Sequence, residues 1–222
     1  MKNYIITIAR GFGSGGKQIA LQLGKELGIE CYENRILYLA SELAGVDETE
    51  FLSVDEKLKS RGFGRKLQEL PMQLLPLPVT KKFRSEDKMF DFQSEIIRNL
   101  AESESCIIVG KCADYVLRDY KNVISIYIEA PREYCVKRIM NRMHCGESQA
   151  HALITKTDKY RAEYYKYYTH GNYWTNPVNY DMTLNSGRLG EQGCIGLIKA
   201  CLEQKFCLLY TSPSPRDISG SR

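Results

Sequence analysis

Near its start the chain reads YIITIARGFGSGGK over residues 4–17. The β-branched run at residues 4–9 is typical of a buried strand. Four glycines and Lys17 follow it directly, and the apolar spacing of residues 19–27 predicts a helix. The predicted order is therefore strand, glycine-rich loop and helix.

The glycine-rich loop fits the pattern GxxxxGK from Gly11 to Lys17. In this pattern the glycines let successive backbone N–H groups turn around phosphate oxygens, and the helix N-terminus adds a favourable dipole. Lys17 would neutralise charge on a transferred phosphate. The predicted phosphate-binding residues are Gly11, Gly13, Ser14, Gly15, Gly16, Lys17 and Gln18.

The position after Lys17 departs from the usual pattern, which has Ser or Thr there to bind magnesium. Here it is Gln18, and Ile19 supplies no hydroxyl either. We therefore expect Mg²⁺ to be held mainly by the nucleotide, by water or by another side chain, for which Ser14 is the candidate.

Two other interpretations of the glycines stay open. The same residues satisfy the dinucleotide-binding pattern GxGxxG, with Glu30 or Glu33 loosely placed as the acid for the ribose. The second alternative is a glycine turn with a purely structural role. Lys17 directly after the last glycine favours the phosphate-binding loop, and a long helical insertion after Leu43 interrupts the βαβαβ pattern of a dinucleotide-binding half.

Strand and helix patterns alternate along the rest of the chain. We expect strands at residues 29–32, 106–110, 123–128 and 180–184. We expect helices from Asn34 to Leu43, around Phe92 to Glu102, over residues 132–143 and 148–168, and from about Glu191. Residues 45–84 are polar and helix-prone, and a proline cluster breaks them. The alternation predicts an α/β fold with a mainly parallel sheet flanked by helices.

Residues 132–168 are basic, with eight Lys or Arg against four acids. Arg138 and Arg142 share a helix face at a spacing of four, and Asp158 and Arg161 share one at a spacing of three. Phosphoryl transfer depends on positioned cations, so these arginines are candidates to close over phosphates. Solvated surface charges are the alternative. An aromatic packing stripe, rather than a base-stacking platform, is our interpretation of Tyr160, Tyr164, Tyr167 and Tyr168.

Composition indicates one globular domain over residues 1–206. The chain has 222 residues, 43% hydrophobic and 26% charged, and its formal charge of +4 is too small to predict nucleic-acid binding. Its apolar runs are too short to span a bilayer, and no signal-peptide pattern is visible, so we expect a cytoplasmic protein without a membrane partner. The eight cysteines form no CxxC pair, which predicts buried free thiols.

The last sixteen residues, 207–222, differ in character from the rest of the chain. They resemble a read-through translation of a transposase-type sequencing adapter. We expect them not to be native and leave them out of the fold.

Several motifs in order resemble the cytidylate kinase-like family of P-loop nucleoside monophosphate kinases. They are the loop ending at Lys17, YENRI at residues 32–36, IVGKCAD at residues 108–114, DKYR at residues 158–161, and Trp174 before NYD at residues 179–181. The resemblance covers most of residues 4–200. It implies a three-layer P-loop kinase fold with a helical acceptor-binding region at about residues 45–104 and a lid at about residues 138–175.

The resemblance also implies roles for individual residues. The catalytic residues would be Lys17, Arg138, Arg142 and Arg161. Of these, Arg138 and Arg142 would be the cations of the lid. The acceptor nucleotide would be bound by Arg35, Lys111, Asp114, Asp158 and Arg161. Related kinases contact the acceptor with a Gly-Arg-Asp turn, whereas this chain has Gly110-Lys111-Cys112. Lysine cannot make the bidentate contact of arginine.

We therefore expect a kinase that transfers the γ-phosphoryl group of Mg-ATP to CMP or a similar monophosphate, with small-molecule nucleotides as its partners and no nucleic acid. A nucleotide-binding regulator of the same fold that has lost its chemistry is the alternative, because Gln18 and Lys111 depart from the family pattern. A dinucleotide-dependent oxidoreductase is the third possibility.

Overall fold

A computed structural model of the protein describes residues 3–33 and 83–206, with side chains from residue 90 onward in the second range. The predicted helix from Asn34 to Leu43, the candidate residue Arg35, most of the acceptor-binding region and residues 207–222 lie outside the described residues.

Five strands of the described residues form one parallel sheet in the order β2-β3-β1-β4-β5. They are β1 (Ile5–Arg10), β2 (Glu30–Tyr32), β3 (Cys106–Val109), β4 (Val123–Glu129) and β5 (Met182–Asn185). Every pairing is parallel, which confirms the predicted sheet type. The strand predicted at residues 180–184 begins two residues later than expected.

Helices connect these strands. They are α1 (Gly16–Leu27), α2 (Phe83–Ser103), α3 (Ala113–Val116), α4 (Arg132–Met143), α5 (Glu147–Tyr168) and α6 (Ser186–Phe206), with a short 3₁₀ helix at Pro177–Asn179. The predicted bounds of α4 agree with the structure, and those of α5 differ by one residue. No helix of the described ranges has both the length and the apolar character that crossing a membrane requires.

The core has two halves, one on each face of the sheet. Ile5 and Ile108 face Ile97 of α2 and Leu117, whereas Ile6 and Ile107 face the residues of the other half, Ile19, Leu23, Cys194, Ile195 and Ile198 from α1 and α6. Successive residues of a strand point to opposite faces. The β-branched runs of β1 and β3 therefore supply both halves, and the result is three layers, helix, sheet and helix.

Cysteines within the described ranges are free thiols. Burial raises the pKa of Cys106 to about 12 and that of Cys135 to about 11. These thiols stay protonated near neutral pH, so they behave as small apolar side chains.

Helix α6 contains a kink at Gly190, whose φ of 69° and ψ of 171° are not helical. This conformation is essentially restricted to glycine. The kink explains why the sequence pattern predicted a helix only from about Glu191. The turn before Gly190 begins at Ser186, whose hydroxyl donates to the Ser14 carbonyl of the glycine-rich loop.

We expect Gly190→Ala to lower the free energy of unfolding by about 1–3 kcal/mol, because alanine is strained in this backbone conformation. The added Cβ meets no atom within 4 Å, so a loss would come from the backbone alone. Gly196→Ala is the matched control, since Gly196 lies inside the same helix and its added Cβ also meets nothing within 4 Å. That variant should gain roughly 0.5–1 kcal/mol. Urea unfolding of both variants measures the difference, and equal effects would contradict the strain at Gly190.

Candidate functional site

The glycine-rich loop lies at the carboxyl ends of the central strands, between β1 and α1. The Gly11 amide donates to the Ile128 carbonyl at 3.0 Å, which holds the start of the loop against β4. At the other end, α1 begins at Gly16 with Gly15 as its N-cap residue. Parallel α/β sheets bind ligands at this edge.

Gly13 is the position where the loop needs glycine most clearly. Its φ is 93°, and a Cβ there would lie 2.9 Å from the Cβ of Cys135 on α4. Gly15 also has a positive φ, of 84°. A side chain at Gly13 would push the loop away from α4, so the close packing of loop and helix depends on this residue.

Several loop amides are available to an anion. The Gly16 amide donates to Ser14 Oγ at 3.3 Å, and the first intrahelical bond runs from Ile19 to the Gly15 carbonyl. Within residues 3–33 and 83–206, the amides of Gly13, Gly15 and Lys17 have no protein acceptor. The first N–H groups of a helix lack intrahelical partners. These donors and the positive end of α1 can together bind a phosphate.

The Ser14 hydroxyl is occupied within the loop. It donates to the Gly11 carbonyl at 2.9 Å, accepts from Gly16, and is fully buried. A metal ligand must present an exposed lone pair, so this geometry disfavours Ser14 as the magnesium ligand. In the part of the chain that the structure describes, no group of three or more His, Cys, Asp or Glu could hold a metal ion. This finding argues against an all-protein metal cage among the described residues, whereas Mg²⁺ in a nucleotide site usually needs only one or two protein ligands beside phosphate oxygens and water.

Lys17 lies in an ion pair with Glu33, the residue directly after β2. The Lys17 Nζ is 2.5 Å from Glu33 Oε2, and the Nη2 of Arg10 is 3.3 Å from Glu33 Oε1. One carboxylate thus joins two cations. Lys17 keeps 44% of its side chain exposed, so a ligand could reach it.

Arg138 and Arg142 of α4 both lie beside the loop. Arg138 Nη2 forms an ion pair with Glu191 Oε1 at 2.8 Å, and both groups lie next to Gly15. The Arg142 guanidinium stacks over the Phe12 ring at 5.1 Å. It has no carboxylate partner among the described residues. Burial and the nearby Arg138 charge lower the pKa of Arg142, so an anion here would relieve an unfavourable charge.

Asp158 and Arg161 of α5 contact the backbone of the loop. Asp158 Oδ1 accepts from the Phe12 amide at 2.8 Å, and Arg161 Nη1 donates to the Arg10 carbonyl at 3.0 Å. Burial raises the pKa of Asp158, although the Phe12 amide opposes this. Burial, with the Arg10 charge, lowers the pKa of Arg161 to about 10, so it remains a cation at neutral pH.

Lys111 and Asp114 lie at the start of α3. Gly110, Lys111 and Cys112 have φ values of 76°, 60° and 53° in succession. Left-handed backbone at non-glycine residues costs about 1–3 kcal/mol each and is frequent at functional sites. Asp114 is buried beneath α5, where its Oδ2 accepts from the Tyr165 hydroxyl at 2.6 Å.

Two tyrosines of the α5 stripe, Tyr164 and Tyr168, pack against α2. Phe90 stacks on Tyr168 with ring centroids 4.0 Å apart and contacts Tyr164 edge-on at 6.3 Å. Tyr164 and Tyr168 also contact each other, at 4.6 Å. These contacts agree with a packing role for Tyr164 and Tyr168, whereas Tyr160 and Tyr167 are exposed.

Three acidic residues of the site were not selected for it from the sequence. Glu33 was considered only as a ribose acid, and Glu129 and Glu191 were not considered. Glu129 ends β4, accepts from the Tyr127 hydroxyl at 2.5 Å and lies against Gly11. Glu33 and Glu129 stand at the carboxyl ends of predicted strands. Because parallel sheets bind ligands at this edge, that position could have indicated them from the sequence. Glu191 carries no such signal.

A model of the cytidylate kinase-like family matches residues 5–188 of the chain. Among solved structures, the chain is similar to an uncharacterized protein from Eubacterium ventriosum, with a TM-score of 0.66 and 25% identity, over 90% of this chain and 99% of that chain. No curated protein matches the chain in sequence.

The chain is also similar in structure to a shikimate kinase from Bacteroides thetaiotaomicron (TM-score 0.51, 11% identity, 90% of this chain and 98% of that chain). A sugar kinase from a Janibacter species gives a TM-score of 0.50 at 14% identity, over 90% of this chain and 95% of that chain. Identities this low show the fold alone, and they confirm the predicted three-layer P-loop kinase fold. With a family match that begins at the first residue of β1 and extends past the start of α6, the chain belongs to the cytidylate kinase-like family.

Proposed function

We propose that the protein is an ATP-dependent kinase that transfers the γ-phosphoryl group of Mg-ATP to CMP or a similar nucleoside monophosphate. The observation that carries this proposal is the set of loop amides at Gly13, Gly15 and Lys17 beside the cations Arg138 and Arg142. Membership of the family supports a phosphotransferase that acts on a nucleotide or another small molecule.

Each group has a role that follows from its charge and position. The loop amides would hold the terminal phosphates, and Lys17 would exchange Glu33 for a phosphate oxygen. Arg138 and Arg142 would balance the charge that spreads over the transferred group. We expect Mg²⁺ to be held mainly by the nucleotide and by water, where it would screen charge between the phosphates, because Gln18 follows Lys17 in place of the usual hydroxyl residue.

The acceptor would bind near the left-handed turn before α3. Lys111 is the cation proposed to meet the acceptor phosphate, and Arg35, outside the described residues, stays a prediction from the resemblance. Asp114 would act from below this turn through its bond to Tyr165. Phe90 and Gln93 of α2 meet Tyr164 of α5. Phe90 and Tyr164 pack against the cluster that contains Cys112, the last residue of this turn, so α2 would form one wall of the acceptor site.

A nucleotide-binding regulator is the second candidate. Two observations favour it, namely Gln18 where magnesium-binding loops carry a hydroxyl, and the Glu33 carboxylate on Lys17. The oxidoreductase alternative has less support, because Glu33 is engaged by Lys17 and Arg10 rather than placed for a ribose.

A coupled assay of the purified full chain with ATP and each of the four ribonucleoside monophosphates tests the proposal. Nucleoside diphosphate from ATP and CMP supports it. Calorimetric binding of ATP without turnover on any acceptor would select the regulator, and binding of a nicotinamide cofactor would revive the oxidoreductase.

We expect Lys17→Ala to lower kcat by about 10²–10³-fold, the loss typical of removing one group that stabilises transition-state charge. Lys25→Ala is the matched control, because Lys25 is an exposed lysine on the same helix. Its rate should equal that of the wild type. Steady-state kinetics with ATP and CMP measure both variants, and an equal loss in both would contradict a specific role for Lys17.

The buried Asp114 carboxyl makes stability depend on pH. Burial raises its pKa from 3.8 to about 6, although the Tyr165 hydroxyl opposes this. The folded protein therefore holds this proton at a pH where the unfolded chain has released it. Stability falls as pH rises through this interval, by about 3 kcal/mol in all.

We expect Asp114→Asn to remove this loss, because the amide oxygen can still accept from Tyr165 but carries no charge. Relative to the wild type, the variant should gain stability between pH 4 and pH 6.5 and hold the gain above that range. Asp119→Asn, which removes a carboxyl with 85% exposure, is the control and should follow the wild type at each pH. Urea unfolding across the pH range measures this, and a constant difference between Asp114→Asn and the wild type would contradict it.

A further inference from the structure

Helix α5 holds the glycine-rich loop at two points of its backbone. The Phe12 amide donates to Asp158 Oδ1 at 2.8 Å, and the Arg10 carbonyl accepts from Arg161 Nη1 at 3.0 Å. The residues joined lie 146 and 151 positions apart in the chain. Both ends of the segment 10–12 are therefore bound to one turn of α5.

The two side chains also support each other. Arg161 Nη1 donates to the same Oδ1 of Asp158 at 3.3 Å, and the side chains are only 21% and 26% exposed. A carboxylate in such a place needs donors around it, since an unpaired buried charge is costly. The Phe12 amide and the Arg161 guanidinium are those donors. Asp158 is thus committed to the loop in this structure.

The Phe12 side chain adds a third link between the loop and the α4 and α5 helices. Its ring lies between two guanidinium groups, with Arg142 at 5.1 Å and Arg161 at 5.5 Å from the ring centre. It also packs against the apolar cluster that contains Ile139 and Leu153. The loop therefore cannot shift without disturbing both helices.

We propose that Asp158 is a positioning residue of the phosphate-binding loop, which it holds through the Phe12 amide, rather than a ligand of the acceptor nucleotide. Gly13 directly follows Phe12. The hydrogen bond from the Phe12 amide to Asp158 therefore fixes the position of the backbone from which the Gly13 and Gly15 amides extend. The inference rests on the proposed function, because its main test measures the binding of ATP to the loop. It replaces the acceptor role that the family resemblance implied for Asp158.

Calorimetric titration with Mg-ATP, in the absence of any acceptor, separates the two roles. Asp158→Ala should weaken ATP binding about tenfold or more, because the loop loses a hydrogen bond to a charged acceptor. Asp158→Asn should stay within about threefold of the wild type, since its amide oxygen can still accept from Phe12. Glu163→Ala is the control on the same helix. Its carboxylate pairs with Lys159 and not with the loop, so ATP binding should not change.

Hydrogen exchange of the wild-type amides gives a second test that needs no variant. The Phe12 amide should exchange much more slowly than those of Gly13 and Gly15, because it alone of the three donates to a carboxylate. An exchange rate at Phe12 equal to that of Gly13 and Gly15 would overturn the inference. This test remains valid even where the Asp158 variants do not fold.

The remaining outcomes are distinct from one another. ATP affinity unchanged in Asp158→Ala, with a higher KM for the acceptor, would overturn the inference and restore the acceptor role. An equal loss in Asp158→Asn and Asp158→Ala would also overturn it. A wild-type protein that binds no ATP would contradict the proposed function instead. The exchange rate of the Phe12 amide would then test by itself whether Asp158 holds the loop.

Discussion

The central strand β1 pairs with β3 on one side and β4 on the other, and this pairing fixes the position of the glycine-rich loop that follows it. β1 runs parallel to β3 and β4 at once, and Ile5, Ile6 and Ile8 are buried almost completely. A strand in this place cannot slide, because a shift by one residue would reverse which side chains face each half of the core. The loop that leaves its carboxyl end is therefore fixed in direction, and α1 and α4 are close to it for the same reason.

Charge balance is the second organising feature. Lys17, Arg138 and Arg161 each pair with a carboxylate, from Glu33, Glu191 and Asp158 respectively. The pairs at Glu33 and Glu191 are partly exposed, whereas the pair at Asp158 is tied into the loop backbone. A phosphate that enters the site would compete with the first two carboxylates and leave the third in place. Lys17, Arg138 and Arg161 would then be neutralised in both states, which avoids the cost of leaving them unpaired.

Much of the fold could be predicted because it depends on local patterns. Continuous β-branched runs gave the buried strands, and apolar spacing gave the bounds of α4. The turn of α6 before Gly190 was not predicted, because the sequence pattern predicts a helix only from about Glu191 and the non-helical backbone at Gly190 separates the two parts. Within the site, the loop glycines follow from their own sequence, whereas the bond from Phe12 to Asp158 joins residues 146 positions apart. Only the packing of α5 on the loop creates it.

The single tryptophan of the chain gives the segment between α5 and β5 an optical property of its own. Trp174 is 8% exposed and meets the Tyr127 ring edge-on, with centroids 5.6 Å apart. Its carbonyl accepts from the Tyr180 hydroxyl at 2.6 Å, and Tyr180 stacks on Tyr127 in turn. The indole emission of the folded protein therefore comes from one buried aromatic environment beside β4. Any movement of this segment away from the sheet would shift that emission to longer wavelength, without an added dye.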